Sequence, residues 1–156
     1  MLSAEAKQFI DSHKEEAFEL LKTIAQIPSP SNHEERRMEF CKKWLEDMGA
    51  EGVYTDEALN VVYPVGVKEN GPVVVFMAHT DVVFPDTDPL PWKEEGGKLC
   101  CPGVGDDTAN LVNILMIAKY VTQAGLQPAG AGILFVCNSG EEGLGNLKGS
   151  RKICED

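Results

Sequence analysis

The chain has 156 residues, enough for one domain with a real hydrophobic core. Hydrophobic residues make up 43% and charged residues 25%, the balance of a globular protein rather than a disordered or fibrous one. Fourteen basic against 25 acidic residues leave a formal charge of −11; this excludes nucleic-acid binding through phosphates, which needs clustered Lys and Arg, and leaves either a solvated acidic surface or carboxylates gathered to hold cations.

The opening stretch MLSAEAKQFIDSHKEE lacks the basic start and apolar core of a signal peptide. No apolar run approaches the roughly 20 residues that span a bilayer, so no membrane association is expected. Phe9, Ile10, His13, Ala17, Leu20, Leu21 and Ile24 recur at helical spacing and predict one amphipathic helix from about Ala4 to Ile27, stopped by Pro28 and Pro30. Ser31 followed by Glu34 reads as a capping box. It would open a second helix, about His33 to Met48, with Met38, Cys41, Trp44, Leu45 and Met48 on one face and Gly49 at its end. His13 and His33 are read as packed or solvated, not metal-bound.

LNVVYPVGV reads as a strand and KENGP as the turn that pairs it in a hairpin with Val73–Ala78. The unbroken apolar run from Val73 to Met77 suggests a strand buried on both faces. A loop, PDTDPLPWKEEGG (85–97), follows, and its Trp92 is read as covering the core. A third helix is predicted from about Thr108 to Ala124. Leu111, Val112, Ile114, Leu115, Ile117, Ala118 and Val121 give it an apolar face so broad that the helix must be largely buried. GAGILFVCNS is a second buried strand, and LKGSRKICED reads as the opening of a further helix with no closing strand, as in a piece of a longer enzyme. Alternating helices and buried strands predict an α/β fold, a layered sheet with flanking helices. The five cysteines include no CxxC pair and no visible disulfide framework, which points to a reducing cytoplasm and against a structural zinc–thiolate site.

Ligands collect at the carboxyl ends of strands in open α/β sheets, and three polar clusters occupy such places. His79 and Asp81 follow one strand. Asp106 and Asp107 follow CCPGVG and precede the third helix; Glu141 and Glu142 follow the last strand. Each has an ordinary explanation alone: a hydrogen-bonded loop, acidic residues at a helix start, a solvated turn. If the three ends converge, five carboxylates and one imidazole share a cleft, and either several protonate or cations sit among them. Imidazole with carboxylates suits Zn²⁺, Mn²⁺ or Co²⁺, whereas an all-oxygen cage would suit Mg²⁺ or Ca²⁺. Two such ions about 3.5–4 Å apart can share a bridging carboxylate.

AHTDVV (78–83), GVGDDTAN (103–110) and NSGEEGLGNLKG (138–149) together resemble the motifs of the M20 metallopeptidase family, in the family's order and at compatible spacing. That family includes peptidase T-like tripeptidases, carboxypeptidase G-like enzymes, and acetylornithine or succinyl-diaminopimelate deacylases. The resemblance covers the whole chain but only the first part of a family member. It implies a zinc-peptidase-like catalytic domain that hydrolyses a peptide or amide bond in a small peptide or N-acyl amino acid, with two Zn²⁺ per complete site (Mn²⁺ or Co²⁺ as alternatives). By motif, His79 would be a terminal ligand of one metal, with its ring oriented by Asp81. Asp106 would bridge both metals, Glu142 would be a terminal ligand of the second, and Glu141 would be the general base. The Asp106–Asp107 peptide bond would be cis.

After the paired acids this chain has Thr108-Ala109-Asn110 where Lys-Gly-Gly or similar is familiar. The wording of DDTAN and EEGLG is nearest the peptidase T-like branch. The resemblance further implies that residues 1–156 are the N-terminal part of a catalytic domain. Absent would be the lid and dimerisation domain, with the homodimer open to the full-length protein, an acidic ligand shortly beyond the Glu-Glu motif and a His near the C-terminus. Such a fragment would be inactive alone. The rival from another class is a non-catalytic metal- or peptide-binding module that retains the fold. A phosphorylation receiver is disfavoured because two helices, not a βα repeat, open the chain.

Overall fold

The computed structural model describes residues 2–83 and 87–155. Of the predicted loop 85–97, residues 85 and 86 lie outside the described residues. The first predicted helix is two: α1 (Ala4–Ser12), capped by the Ser3 side chain accepting from the Ala6 amide at 3.1 Å, and α2 (Lys14–Ala25). His13 leaves helical geometry between them (φ −115°). Its ring stacks on Phe9 and its Nδ1 lies 2.8 Å from the Phe9 carbonyl. The ring thus takes a carbonyl at the end of α1, which lets the helix turn there.

The second predicted helix is α3 (Glu35–Asp47), but the capping box is not formed. Neither side chain returns to the helix: Ser31 Oγ donates to Asp81 at 2.7 Å, and Glu34 accepts from the amides of Asn32 and Gly140. The spacing that normally marks a helix start is here used by the site.

A four-stranded sheet follows in the order β1 (Tyr54–Thr55), β2 (Val61–Val65), β6 (Gly132–Asn138), β3 (Val73–His79). β2 runs antiparallel to β6, and β3 runs parallel to β6 in the register Val73↔Gly132 to His79↔Asn138. The expected β2–β3 hairpin is therefore absent, because β6 lies between them. Gly132 is what allows it: a Cβ there would sit 2.7 Å from the Val67 Cα, so the β2–β3 connection crosses directly over the start of β6. A short hairpin, β4 (Lys93–Glu95) with β5 (Lys98–Cys100), occupies the end of the region predicted as loop. Trp92 is half-buried beside it, edge-on to Phe18, and its indole N–H donates to Glu94, so it covers α2 instead of lining a cleft.

α4 (Ala109–Gln123) connects β3 to β6, and α5 (Lys148–Glu155) follows the turn after β6. The core lies between the sheet and α2, α3 and α4. Leu20, Ile24, Cys41, Leu45, Leu111, Leu115 and Ala118 meet Val61, Tyr63, Val65, Phe135 and Cys137. One burial expectation fails and one holds in the main. β3 is the edge strand of the sheet among the described residues, and its Val73, Val74, Phe76 and Met77 are exposed, not buried on both faces. α4 is largely buried, as expected, along Leu111, Val112, Ile114, Leu115 and Ala118, with Ile117 47% exposed. An apolar run reports what a segment can bury, and what covers it is decided elsewhere. No helix among the described residues is long and apolar enough to cross a membrane.

The asymmetry of α4 is measurable. Leu115→Ala should cost about 2–5 kcal/mol in urea denaturation, and Ile117→Ala about 1 kcal/mol or less. Equal losses would contradict this placement of the helix.

Candidate active site

β3 and β6 end side by side, with His79 opposite Asn138, and the Thr80 amide donates to the Asn138 carbonyl at 2.8 Å. Past β6 the chain turns without a strand to pair with, and its buried amides need other acceptors. Four successive ones find side chains. Ser139 N–H donates to Asn60 Oδ1 at 3.0 Å and Gly140 N–H to Glu34 Oε1 at 2.9 Å. Glu141 and Glu142 donate to the two carboxylate oxygens of Asp81, each at 3.0 Å. This brings the Glu-Glu turn back over the end of β3.

The His79 side chain is 7% exposed. Its Nδ1 lies 3.0 Å from the Asp81 backbone carbonyl and 3.4 Å from the Asp81 carboxylate. Its Nε2 lies 3.1 Å from Asp106 Oδ1 and 3.8 Å from Glu141 Oε2. A carbonyl can only accept, so Nδ1 carries a proton, and among the described residues Nε2 then faces the carboxylates of Asp106 and Glu141. A proton on Nε2 would satisfy them. Burial alone would lower the ring's pKa, but the hydrogen bonds to Asp81 and Asp106, reinforced by the charges of Asp81 and Asp107, outweigh it and raise it to about 9. A cation at the Nε2 lone pair answers the same demand as that proton. His79, Glu141 and Glu142 each present a ligand atom within 4.8 Å of the others, and one imidazole with carboxylates is a donor set that transition-metal ions accept. The residues present therefore fit a metal.

The neighbours tune this cluster. Asp81 has no exposed surface. Burial would raise its carboxyl, yet hydrogen bonds from His79, Ser31 and the amides of Glu141 and Glu142 hold it well below the usual carboxylate range. Glu142 is pushed up, first by partial burial and then by the negative charges of Asp106, Glu141 and Asp81, against the pull of His79.

Asp106 is held by a wide turn, Val104–Thr108, closed by the Thr108 amide donating to the Gly103 carbonyl at 3.2 Å. The Asp106–Asp107 bond is cis, as the resemblance implied. Asp106 itself is 83% exposed, while Asp107 accepts from the His79 amide at 3.3 Å and from Asn110 at 2.6 Å.

All five residues singled out from the sequence thus meet at one sheet edge. Asp81 contacts the imidazole through both its carbonyl and its carboxylate, and its carboxylate also binds the Glu-Glu turn. Sequence reasoning missed Ser31, Glu34, Asn60 and Arg37. Arg37, fully buried on α3, donates to the carbonyls of Ala25, Ile27 and Thr80 and to Thr108 Oγ1 at 2.8–3.2 Å, joining the end of α2 to both site loops. Burial lowers its pKa to about 10, so it stays charged. A charged residue at a buried helical position was the only signal, and it shows only once burial is known.

The fold is an α/β sheet domain that superposes on solved peptidase structures. Residues 75–156 match the family described as Peptidase family M20/M25/M40, and the chain belongs to that family. A Pyrococcus abyssi protein named as a LysW-lysine/LysW-ornithine hydrolase is 38% identical over 71 residues, which cover 45% of this chain and 20% of that one. A Staphylococcus aureus tripeptidase superposes with a TM-score of 0.67 at 22% identity, covering 86% of this chain and 38% of its own. A Bacillus subtilis protein described as a dinuclear metal-binding M20 peptidase superposes with a TM-score of 0.60 at 18% identity, covering 93% and 40%. The chain therefore spans a fifth of that curated relative and about two-fifths of those solved structures.

For the metal-free chain the raised His79 pKa has a definite sign. The stabilisation from the charged ring is complete below its ordinary pKa of 6.5 and is lost as pH rises through about 9. The urea midpoint of chelator-treated protein should fall across that window, and His79→Asn should remove most of the fall. A midpoint that rises with pH in the same window would contradict the assignment.

Proposed function

We propose that this chain is the N-terminal part of the catalytic domain of a longer cytoplasmic hydrolase that cleaves a peptide or amide bond in a small peptide or N-acyl amino acid. The observation that carries the reading is the Nε2 nitrogen of His79 facing the carboxylates of Asp106 and Glu141, at a sheet edge of an M20 family member. In this reading His79, Asp106 and Glu142 would hold two ions, and Asp81 fixes both the imidazole and the Glu-Glu turn. Zn²⁺ is the first choice, with Mn²⁺ or Co²⁺ as alternatives. The peptidase T-like branch is the nearest by motif, and the tripeptidase neighbour supports a peptide substrate.

When bound, the ions supply a polarised carbonyl and a water that ionises near neutral pH. The chain's own residues supply the proton traffic. The Glu141 side chain is 42% exposed and Oε2 is 3.8 Å from His79 Nε2, at the mouth of the cluster where a water would enter. Its carboxylate takes the proton of the attacking water and returns it to the nitrogen of the departing amine. Asp81 keeps its charge throughout, because four hydrogen bonds stabilise the ionised form. The remaining ligands would come from the rest of the longer chain: an acidic residue soon after Glu142 and a distant His. The short share of the solved relatives that this chain covers supports that division.

Two measurements test the reading. The purified 156-residue chain, supplied with Zn²⁺ or Mn²⁺, should hydrolyse neither di- and tripeptides nor N-acyl amino acids; turnover by this chain would refute its dependence on missing parts. In the longer parent protein, Glu141→Gln should lower kcat by about 10²- to 10⁴-fold with bound metal retained. A parent with no hydrolytic activity toward these substrates would favour the non-catalytic binding module.

A further inference from the structure

Glu34 has no exposed surface and lies outside the imidazole–carboxylate cluster. Its Oε1 accepts from the Asn32 amide at 2.8 Å and from the Gly140 amide at 2.9 Å. Its Oε2 accepts from Lys148 Nζ, at the start of α5, at 3.1 Å. A buried carboxylate is costly unless its oxygens are matched, and here both are. Gly140 makes this possible. It has φ +57°, and a Cβ there would lie 2.6–3.0 Å from Cγ, Cδ and Cε of Lys148, so the lysine stem lies flat on the turn while its ammonium reaches Glu34. The next two amides, Glu141 and Glu142, belong to Asp81. The turn is therefore gripped by two different buried carboxylates, one just before its acidic pair and one at the pair itself.

We infer that Glu34, together with Lys148, is a positioning residue that sets the direction of the Glu141 and Glu142 side chains. Asp81 fixes the amides of the acidic pair and Asn60 the Ser139 amide before them, and the Gly140–Glu34 bond is the anchor at the left-handed glycine between the two. The consequence for metal affinity rests on the function proposed above. The consequence for the conformation of the turn does not.

The test uses the ¹⁵N-labelled 156-residue chain, with amide spectra, hydrogen exchange and Zn²⁺ titration. In Glu34→Ala the amides of Gly140, Glu141 and Glu142 should shift and lose protection, while those of Leu115 and Val136 stay in place. Zn²⁺ should bind about tenfold or more weakly, the scale on which residues behind a metal's ligands act. Glu34→Gln, which keeps an acceptor for the two amides but turns an NH₂ toward Lys148, should be intermediate. Leu45→Ala, which loosens the core without touching the turn, should leave Zn²⁺ affinity unchanged, and this separates positioning from general stability. If Glu34→Ala does not fold, Lys148→Met takes its place, since it keeps the stem over Gly140 and removes the charge; it should shift the same three amides. Unmoved Glu141 and Glu142 amides in the folded variant, or an equal loss of Zn²⁺ affinity in Leu45→Ala, would overturn the inference. Wild-type chain that binds no Zn²⁺ would count against the proposed function, and the amide shifts would then decide the part played by Glu34.

Discussion

Asp81 is fully buried and charged, and the site depends on how that charge is matched. Its two oxygens receive the amides of Glu141 and Glu142 and the hydroxyl of Ser31. The same residue's carbonyl takes the Nδ1 proton of His79. One side chain and its own backbone thus tie the end of β3, the turn after β6 and the loop before α3 into a single rigid unit. Each partner needs the others, because a carboxylate out of water is tolerable only while its donors stay in place. This arrangement brings Glu141 and Glu142 to the imidazole of His79, whose Nε2 also meets Asp106.

Electrostatic crowding follows from that rigidity. His79 is pulled toward its charged form and Glu142 toward its neutral one, while Asp81 remains ionised. Groups of one cluster pushed in opposite directions are a mark of a functional site, and a positive ion relieves all of them at once. Arg37 contributes from below. Its buried guanidinium binds the carbonyl of Thr80, between His79 and Asp81, and the hydroxyl of Thr108, next to the acidic turn. It holds two site loops at a fixed separation without entering the cluster.

Most of the secondary structure was legible because its signals are local. The helical spacing of Met38, Cys41 and Leu45, and the apolar run from Ile133 to Cys137, follow from periods of 3.6 and of extended chain. Failures came where one segment's state depends on a distant one. Helix periodicity runs through His13, yet the backbone leaves helical geometry there and the ring takes the Phe9 carbonyl. The pairing of β2 with β3 is the natural expectation for neighbouring strands, but β6 inserts where Gly132 lets the connecting chain pass. Ser31 and Glu34 carry a genuine helix-start pattern, and it is redirected by acceptors and donors more than 40 residues away.

The sequence by itself determined the α/β class and the family, and singled out His79, Asp81, Asp106, Glu141 and Glu142 as candidates, because residue type and spacing along the chain suffice for those. Only the tertiary structure decided which oxygen meets which nitrogen, that β3 is an edge strand, and that Glu34, Asn60 and Arg37 support the site. Local sequence encodes the torsional preference and burial capacity of a segment. The partner of a buried polar group is set by which other segments arrive beside it, and that is a property of the packed chain.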